Sequence, residues 1–76
     1  MTSERPDPQE GDVWQSRRSK RRVLVLATPD LKAHNERVRV ELLTTAEGRP
    51  PLKKVVTTVL VRNWHAAFTL AERANP

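Results

Sequence analysis

The chain has 76 residues, with 14 Lys and Arg against 9 Asp and Glu, for a formal net charge of +5. That length fits one small domain, and a chain of this size buries only about 60% of the surface its unfolded form exposes, which argues against a deep enzyme cleft. There is no cysteine, so disulfides, thiolate catalysis and Cys-based zinc sites are excluded, and no apolar stretch approaches the roughly 18 residues of a membrane span.

Residues 1–10 carry Pro6 and Pro8 among acids and polar side chains without periodicity, and are read as a disordered acidic arm. No apolar core marks this opening as a signal peptide, and a cytoplasmic protein is expected. Residues 11–76 are read as a single small domain that becomes ordered at Gly11-Asp12. Val13-Trp14-Gln15 reads as a short first strand. A basic loop follows, Arg17-Arg18-Ser19-Lys20-Arg21-Arg22.

Val23-Leu24-Val25-Leu26-Ala27 is a continuous apolar run of strand length, ended by Thr28-Pro29-Asp30 as a turn or single helical turn with Thr28 as cap. Arg37 to Leu42 alternates strictly. Val38, Val40 and Leu42 fall on one face, with Arg37, Arg39 and Glu41 on the other, the pattern of a half-buried strand. Glu47-Gly48-Arg49-Pro50-Pro51 must be a loop, since glycine permits unusual backbone angles and proline cannot donate to a ladder.

Val55 to Val61 is a second β-branched run, its more apolar face formed by Val55, Thr57, Val59 and Val61. Residues 63–73 have two readings. One is a tight turn at Asn63-Trp64 and a last strand at Phe68-Thr69-Leu70. The other is a short C-terminal helix capped by Asn63, with Trp64 and Phe68 one turn apart. Four to five short strands make the chain mostly β and predict a small, strongly bent antiparallel sheet or barrel. Trp14, Trp64 and Phe68 are its only aromatics, and a core this small needs all three to close.

Taken in order, Gly11-Asp12-Val13-Trp14, the basic segment, a strand opening Arg21-Arg22-Val23, an alternating strand, a Thr-rich strand and Arg62-Asn63-Trp64 resemble a known group. They are similar to the small uncharacterised proteins of actinobacteria and their phages that open with a Gly-Asp/Gln-Val-Trp motif. The resemblance spans residues 11–72. It implies an SH3-like β-barrel with a turn at Arg62-Asn63-Trp64 before the last strand. Similar barrels, such as KOW and Tudor modules, bind nucleic acid or protein segments and rarely catalyse.

The imidazoles, His34 and His65, are far apart in sequence, and no Gly-rich phosphate loop can be built from Gly11 and Gly48. Scattered Ser and Thr residues offer no nucleophile with a base and an orienting group at suitable spacing. No enzyme activity, cofactor, metal or membrane association is expected.

Charge placement points to a partner class. Residues 17–22 alone carry +5, equal to the whole net charge, while residues 1–12 carry −3 and residues 30–49 balance. Ten of the fourteen bases are Arg, whose planar fork suits phosphate. Such a run also serves simply as a solvated face. The functional reading is nucleic-acid binding with weak sequence specificity. Arg17, Arg18, Lys20, Arg21 and Arg22 form a mobile loop, Arg37 and Arg39 extend the patch, and Lys53 and Lys54 add charge at the next strand. The partner is DNA or RNA through its phosphates. The alternative is a protein-interaction module of phage or actinobacterial origin that docks on a larger host or virion partner. A homodimer through an unpaired strand edge is also open. The acidic arm is expected to fold back over the basic loop when no partner is bound.

Overall fold

The computed structural model describes residues 7–30, 32 and 35–74. Five strands are present: β1 (Val13–Ser16), β2 (Arg22–Ala27), β3 (Arg37–Thr44), β4 (Val56–Leu60) and β5 (Phe68–Glu72). All pairings are antiparallel, and they form one sheet in the order β4-β3-β2-β1-β5. The fold is therefore mostly β, the small bent antiparallel sheet that the pattern predicts. Register shifts lie between Val13 and Trp14, between Arg22 and Val23, and between Val25 and Ala27. Each such irregularity bends its strand and increases the local twist, which curls the sheet around its own inner face.

The inner face is what the alternation predicts. Val38 pairs with Val59, Val40 with both Val25 and Thr57, and Val23 with both Trp14 and Leu42. Trp14, Val23, Val25, Val38, Val40, Trp64 and Phe68 make the buried core, with Leu42, Val59, Val61 and Leu70 packed against it. Burying each large apolar side chain contributes roughly 1.5–3 kcal/mol, so the three rings dominate. Trp14 meets Trp64 edge to face at 5.3 Å, and Trp64 tilts onto Phe68 at 4.7 Å.

The two readings of residues 63–73 are both realised, in succession. A 3-10 turn (Val61–Asn63) runs into a single α-helical turn, α1 (Trp64–Ala67), and Phe68 then begins β5. Four residues of helix place Trp64 and Phe68 on the same side, and the β conformation at Phe68 returns the chain to β1. Asn63 stands at the helix N-cap but its side chain makes no capping bond. At the earlier turn, the side-chain cap belongs to Asp30, which accepts from the Lys32 N–H at 3.0 Å, and residues 28–30 are not helical.

Residues 1–6 of the expected arm lie outside the described residues. Residues 7–10 pack on the body. Pro8 is buried, and the Asp7 carbonyl accepts from Arg73 at 2.6 Å. They sit at the Asp12 end of β1, opposite to the basic loop, so Asp7 and Glu10 do not cover it.

Asp12 is the one buried charged residue among those described, at 0% exposure. Its carboxylate accepts from Gln9 N–H (2.9 Å), Trp14 Nε1 (3.3 Å), Arg73 Nε (3.3 Å) and Nη2 (2.8 Å), and Ala74 N–H (2.7 Å). Burial alone would raise its pKa, but the donors from Ala74, Gln9, Arg73 and Trp14 together hold it below the ordinary aspartate value. The Asp12 backbone joins the sheet as well: its carbonyl accepts from Val25 and the adjacent Gly11 donates to the Val25 carbonyl, both at 2.9 Å.

Two predictions follow from this packing. Asp12→Asn turns an acceptor oxygen into an N–H donor that faces the donors of Gln9, Trp14, Arg73 and Ala74 in a buried site, and is expected to cost roughly 3 kcal/mol, on the order of 15 °C in melting temperature. Because the folded pKa is the lower one, Asp12 contributes its full stabilisation above the unfolded value of about 4 and loses it as pH falls through the folded value. Thermal melts between pH 2 and 7 check this: the variant should show a flatter acid limb than the native chain. The two tryptophans should also differ. Trp14→Phe removes a donor from Asp12, whereas Trp64 Nε1 is buried with no partner among the described residues. Trp14→Phe should therefore cost about 1 kcal/mol more than Trp64→Phe in urea titrations.

Candidate nucleic-acid interface

The basic run forms the connection between β1 and β2, and its backbone is anchored where a mobile loop is expected. Ser16 N–H closes the hairpin onto the Arg21 carbonyl at 2.8 Å. Arg17 donates its N–H to the Ala67 carbonyl at 2.9 Å, and its Nε to the His65 carbonyl at 2.8 Å. Lys20 N–H reaches the Ala46 carbonyl at 3.2 Å. Within the loop, the Ser16 and Ser19 hydroxyls accept from Arg18 and Arg21 N–H groups at 3.1 and 3.2 Å. Six hydrogen bonds thus tie the loop to itself, to α1 and to the β3–β4 connection. Local serine bonds of this kind hold turn backbone in place of ladder partners. The side chains of Arg17, Arg18, Lys20, Arg21 and Arg22 remain at exposed positions.

The β3–β4 connection supports this loop from the other side. Thr45 N–H donates to the Arg49 carbonyl at 2.7 Å and Gly48 N–H to the Thr45 carbonyl at 2.9 Å. Gly48 has φ +86°, and a Cβ there would lie 3.0 Å from Lys20 Cδ. The aliphatic stem of Lys20 therefore crosses a position that only glycine fits well.

The structure regroups the expected site. Arg22 pairs with Thr44, the last residue of β3, while Arg39 and Arg37 lie five and seven residues earlier. At about 3.3 Å per residue these are roughly 17 and 23 Å away along the strand. Arg37 and Arg39 are exposed on the outer face, as the alternation predicts, but they stand at the far end and do not extend the loop's patch. Lys53 and Lys54 do. Leu42 N–H bonds the Val55 carbonyl at 2.9 Å, so the two lysines enter the sheet beside the end that carries Arg22. Arg49 joins them through the turn bonded to Thr45. The Leu42–Val55 pairing that brings them there is not written in the local sequence.

Two concavities flank the loop. A shallow one of about 260 Å³ is lined by Ser16, Arg18, Asn63, Ala66 and Ala67. The other, of about 240 Å³, is an apolar groove at the open end of the core, lined by Val23, Val40, Leu42, Val55, Thr57 and Phe68 with Arg21 at its polar side. All three aromatic rings are in the core, so no exposed ring offers a stacking platform. His65 lies against Trp14, with ring centres 5.9 Å apart, and His34 is outside the described residues. Among the described residues no cluster of His, Cys, Asp or Glu could hold a metal ion, and no helix is long and apolar enough to cross a membrane.

Comparison with known proteins finds no matching family model, no matching curated protein and no matching solved structure.

Gly48→Ala is expected to cost about 1–2 kcal/mol, read as a lowered urea midpoint. Combining it with Lys20→Ala removes the close contact but leaves the backbone strain, so only part of the loss should return.

Proposed function

We propose that this chain is a small, non-enzymatic, nucleic-acid-binding accessory protein of the cytoplasm that grips phosphates with weak sequence specificity. The observation that carries this reading is the gathering of Arg17, Arg18, Lys20, Arg21, Arg22, Lys53 and Lys54 at one end of the sheet, on a loop whose backbone is anchored. A pre-positioned row of cations loses less conformational entropy on meeting a polyanion than a floppy one. Arginine adds forked, two-point contact with phosphate oxygens. Charged contacts of this kind position a protein on a backbone without reading bases. Among the described residues no helix is long enough to lie along a major groove: α1 has four residues. The lack of such a helix among the described residues supports the reading of weak specificity.

The test is a salt series with a labelled duplex. Five phosphate contacts give a slope of log K on log salt near −4.5, at about 0.9 per contact. The triple variant Arg18→Ala, Lys20→Ala, Arg22→Ala leaves the Arg17 anchor intact and should flatten the slope by about 2.7. Arg37→Ala with Arg39→Ala should leave it unchanged, because those side chains lie at the far end. Equal effects of the two variants, or affinity weaker than micromolar at about 0.1 M salt with no response to either, would reject the reading.

A further inference from the structure

We propose that the open edge of β4, together with the apolar groove beside it, receives an extended acidic segment of a partner protein as a sixth strand. This goes beyond the nucleic-acid reading and stands or falls separately from it.

Three independent observations meet at this place. The first is the unfilled edge. β4 pairs with β3 alone and β5 with β1 alone, so the curled sheet has its two edges at β4 and β5. Leu42 bonds the Val55 carbonyl, and Val40 and Val38 stand opposite Thr57 and Val59. In an antiparallel ladder the bonding direction alternates, so residues 55, 57 and 59 address β3 while Val56 and Thr58 turn N–H and C=O groups to the open side. A strand laid along that side meets a ready ladder, the usual basis of strand addition.

The second observation is where apolar surface is exposed. Among the described residues, the large hydrophobic side chains most open to solvent are Leu52 at 106%, Val56 at 40% and Val55 at 39%, all within five residues at the start of β4. The side chains of Val55 and Thr57 line one wall of the groove, and Phe68 at the start of β5 lines the other. The groove is thus the gap between the two edges, floored by Val23 and Val40. An added strand would send alternate side chains into it, since strand side chains alternate between faces.

The third is charge. Arg21 borders the groove, and Lys53 and Lys54 immediately precede Val55. An occupant with carboxylates beside its apolar positions complements that rim. A second copy paired antiparallel through this edge would instead set the far end of its own strand, residues 59–63 with Arg62 and no carboxylate, opposite Lys53 and Lys54, and so supplies no counter-charge. The chemistry recognised is an extended segment that alternates apolar and acidic residues.

The probe is an acetylated, fluorescein-labelled decamer alternating Val and Glu, compared with a decamer of Glu alone at about 0.15 M salt. The all-Glu peptide carries more charge, so attraction by charge alone predicts that it binds more tightly. The expected result is that the alternating peptide binds at least tenfold more tightly, and that it slows hydrogen exchange at the Val56 and Thr58 amides. Val55→Glu with Thr57→Glu changes two exposed residues and should weaken that binding at least tenfold while leaving the melting temperature within a few degrees. Exchange measured on the native chain decides the matter should the variant unfold.

Equal or tighter binding of the all-Glu peptide, or unchanged exchange at both amides, would overturn the proposal. So would protection of those amides that grows with protein concentration and needs no peptide, which gives the edge to a second copy. A thymine decamer that protects them and binds tenfold more tightly than an abasic decamer would give the groove to unstacked bases and overturn it likewise. The duplex salt series is read independently and is unaffected by any of these results.

Discussion

The buried carboxylate of Asp12 is the contact on which the arrangement of the rest depends. Five donors from four places in the chain converge on it: Gln9, Trp14, Arg73 at two nitrogens, and Ala74. A carboxylate without such donors would be expensive to bury in a core this small. With them, it joins the start of β1 to the end of β5, 61 and 62 residues apart in sequence. That junction seats β5 beside β1 and leaves its other side open, facing β4 across the groove. The clamp at one end of β1 and the basic loop at the other are opposite consequences of one short strand.

The aromatic core constrains function as firmly as it supports the fold. Trp14, Trp64 and Phe68 are the chain's whole supply of large rings, and all three are used to fill the interior. Among the exposed features of the described residues are a cluster of guanidinium and ammonium groups at one end of the sheet and aliphatic side chains along the start of β4. The first favours phosphate contact, and the second favours a polypeptide strand. The two surfaces adjoin at Arg21, which belongs to the basic loop and also borders the groove.

Much of this was legible in the residues. The strict alternation from Arg37 to Leu42 marked β3 and its buried face, because a pleated strand turns successive side chains to opposite sides. Of the more apolar face of the Val55 to Val61 run, Val59 and Val61 pack on the core, although Val61 already belongs to the 3-10 turn. Yet Val55 and Thr57 open onto the groove, since β4 pairs with β3 alone and no strand covers its inner face there. Residues 63–73 could not be divided from local preference alone. Alanine-rich propensity favours helix through Ala67, and only the pairing of Ser16 with Phe68 stops it there. Arg73 gave no local sign of its role, because its partner is Asp12.

By itself the sequence determined the mostly-β class, the approximate positions of the first four strands, the interior place of all three rings and the concentration of positive charge at residues 17–22. These are local properties of pattern and composition, set by side-chain period and by hydrophobicity. Only the tertiary structure decided which cations share a surface. The antiparallel return of β3 carries Arg37 and Arg39 away from the loop, and the β3–β4 register brings Lys53 and Lys54 to it. The +5 of net charge therefore resolves into a braced cationic end beside an unsealed apolar groove. Sequence separation cannot specify that neighbourhood, because strand pairing makes neighbours of residues whose distance along the chain is arbitrary.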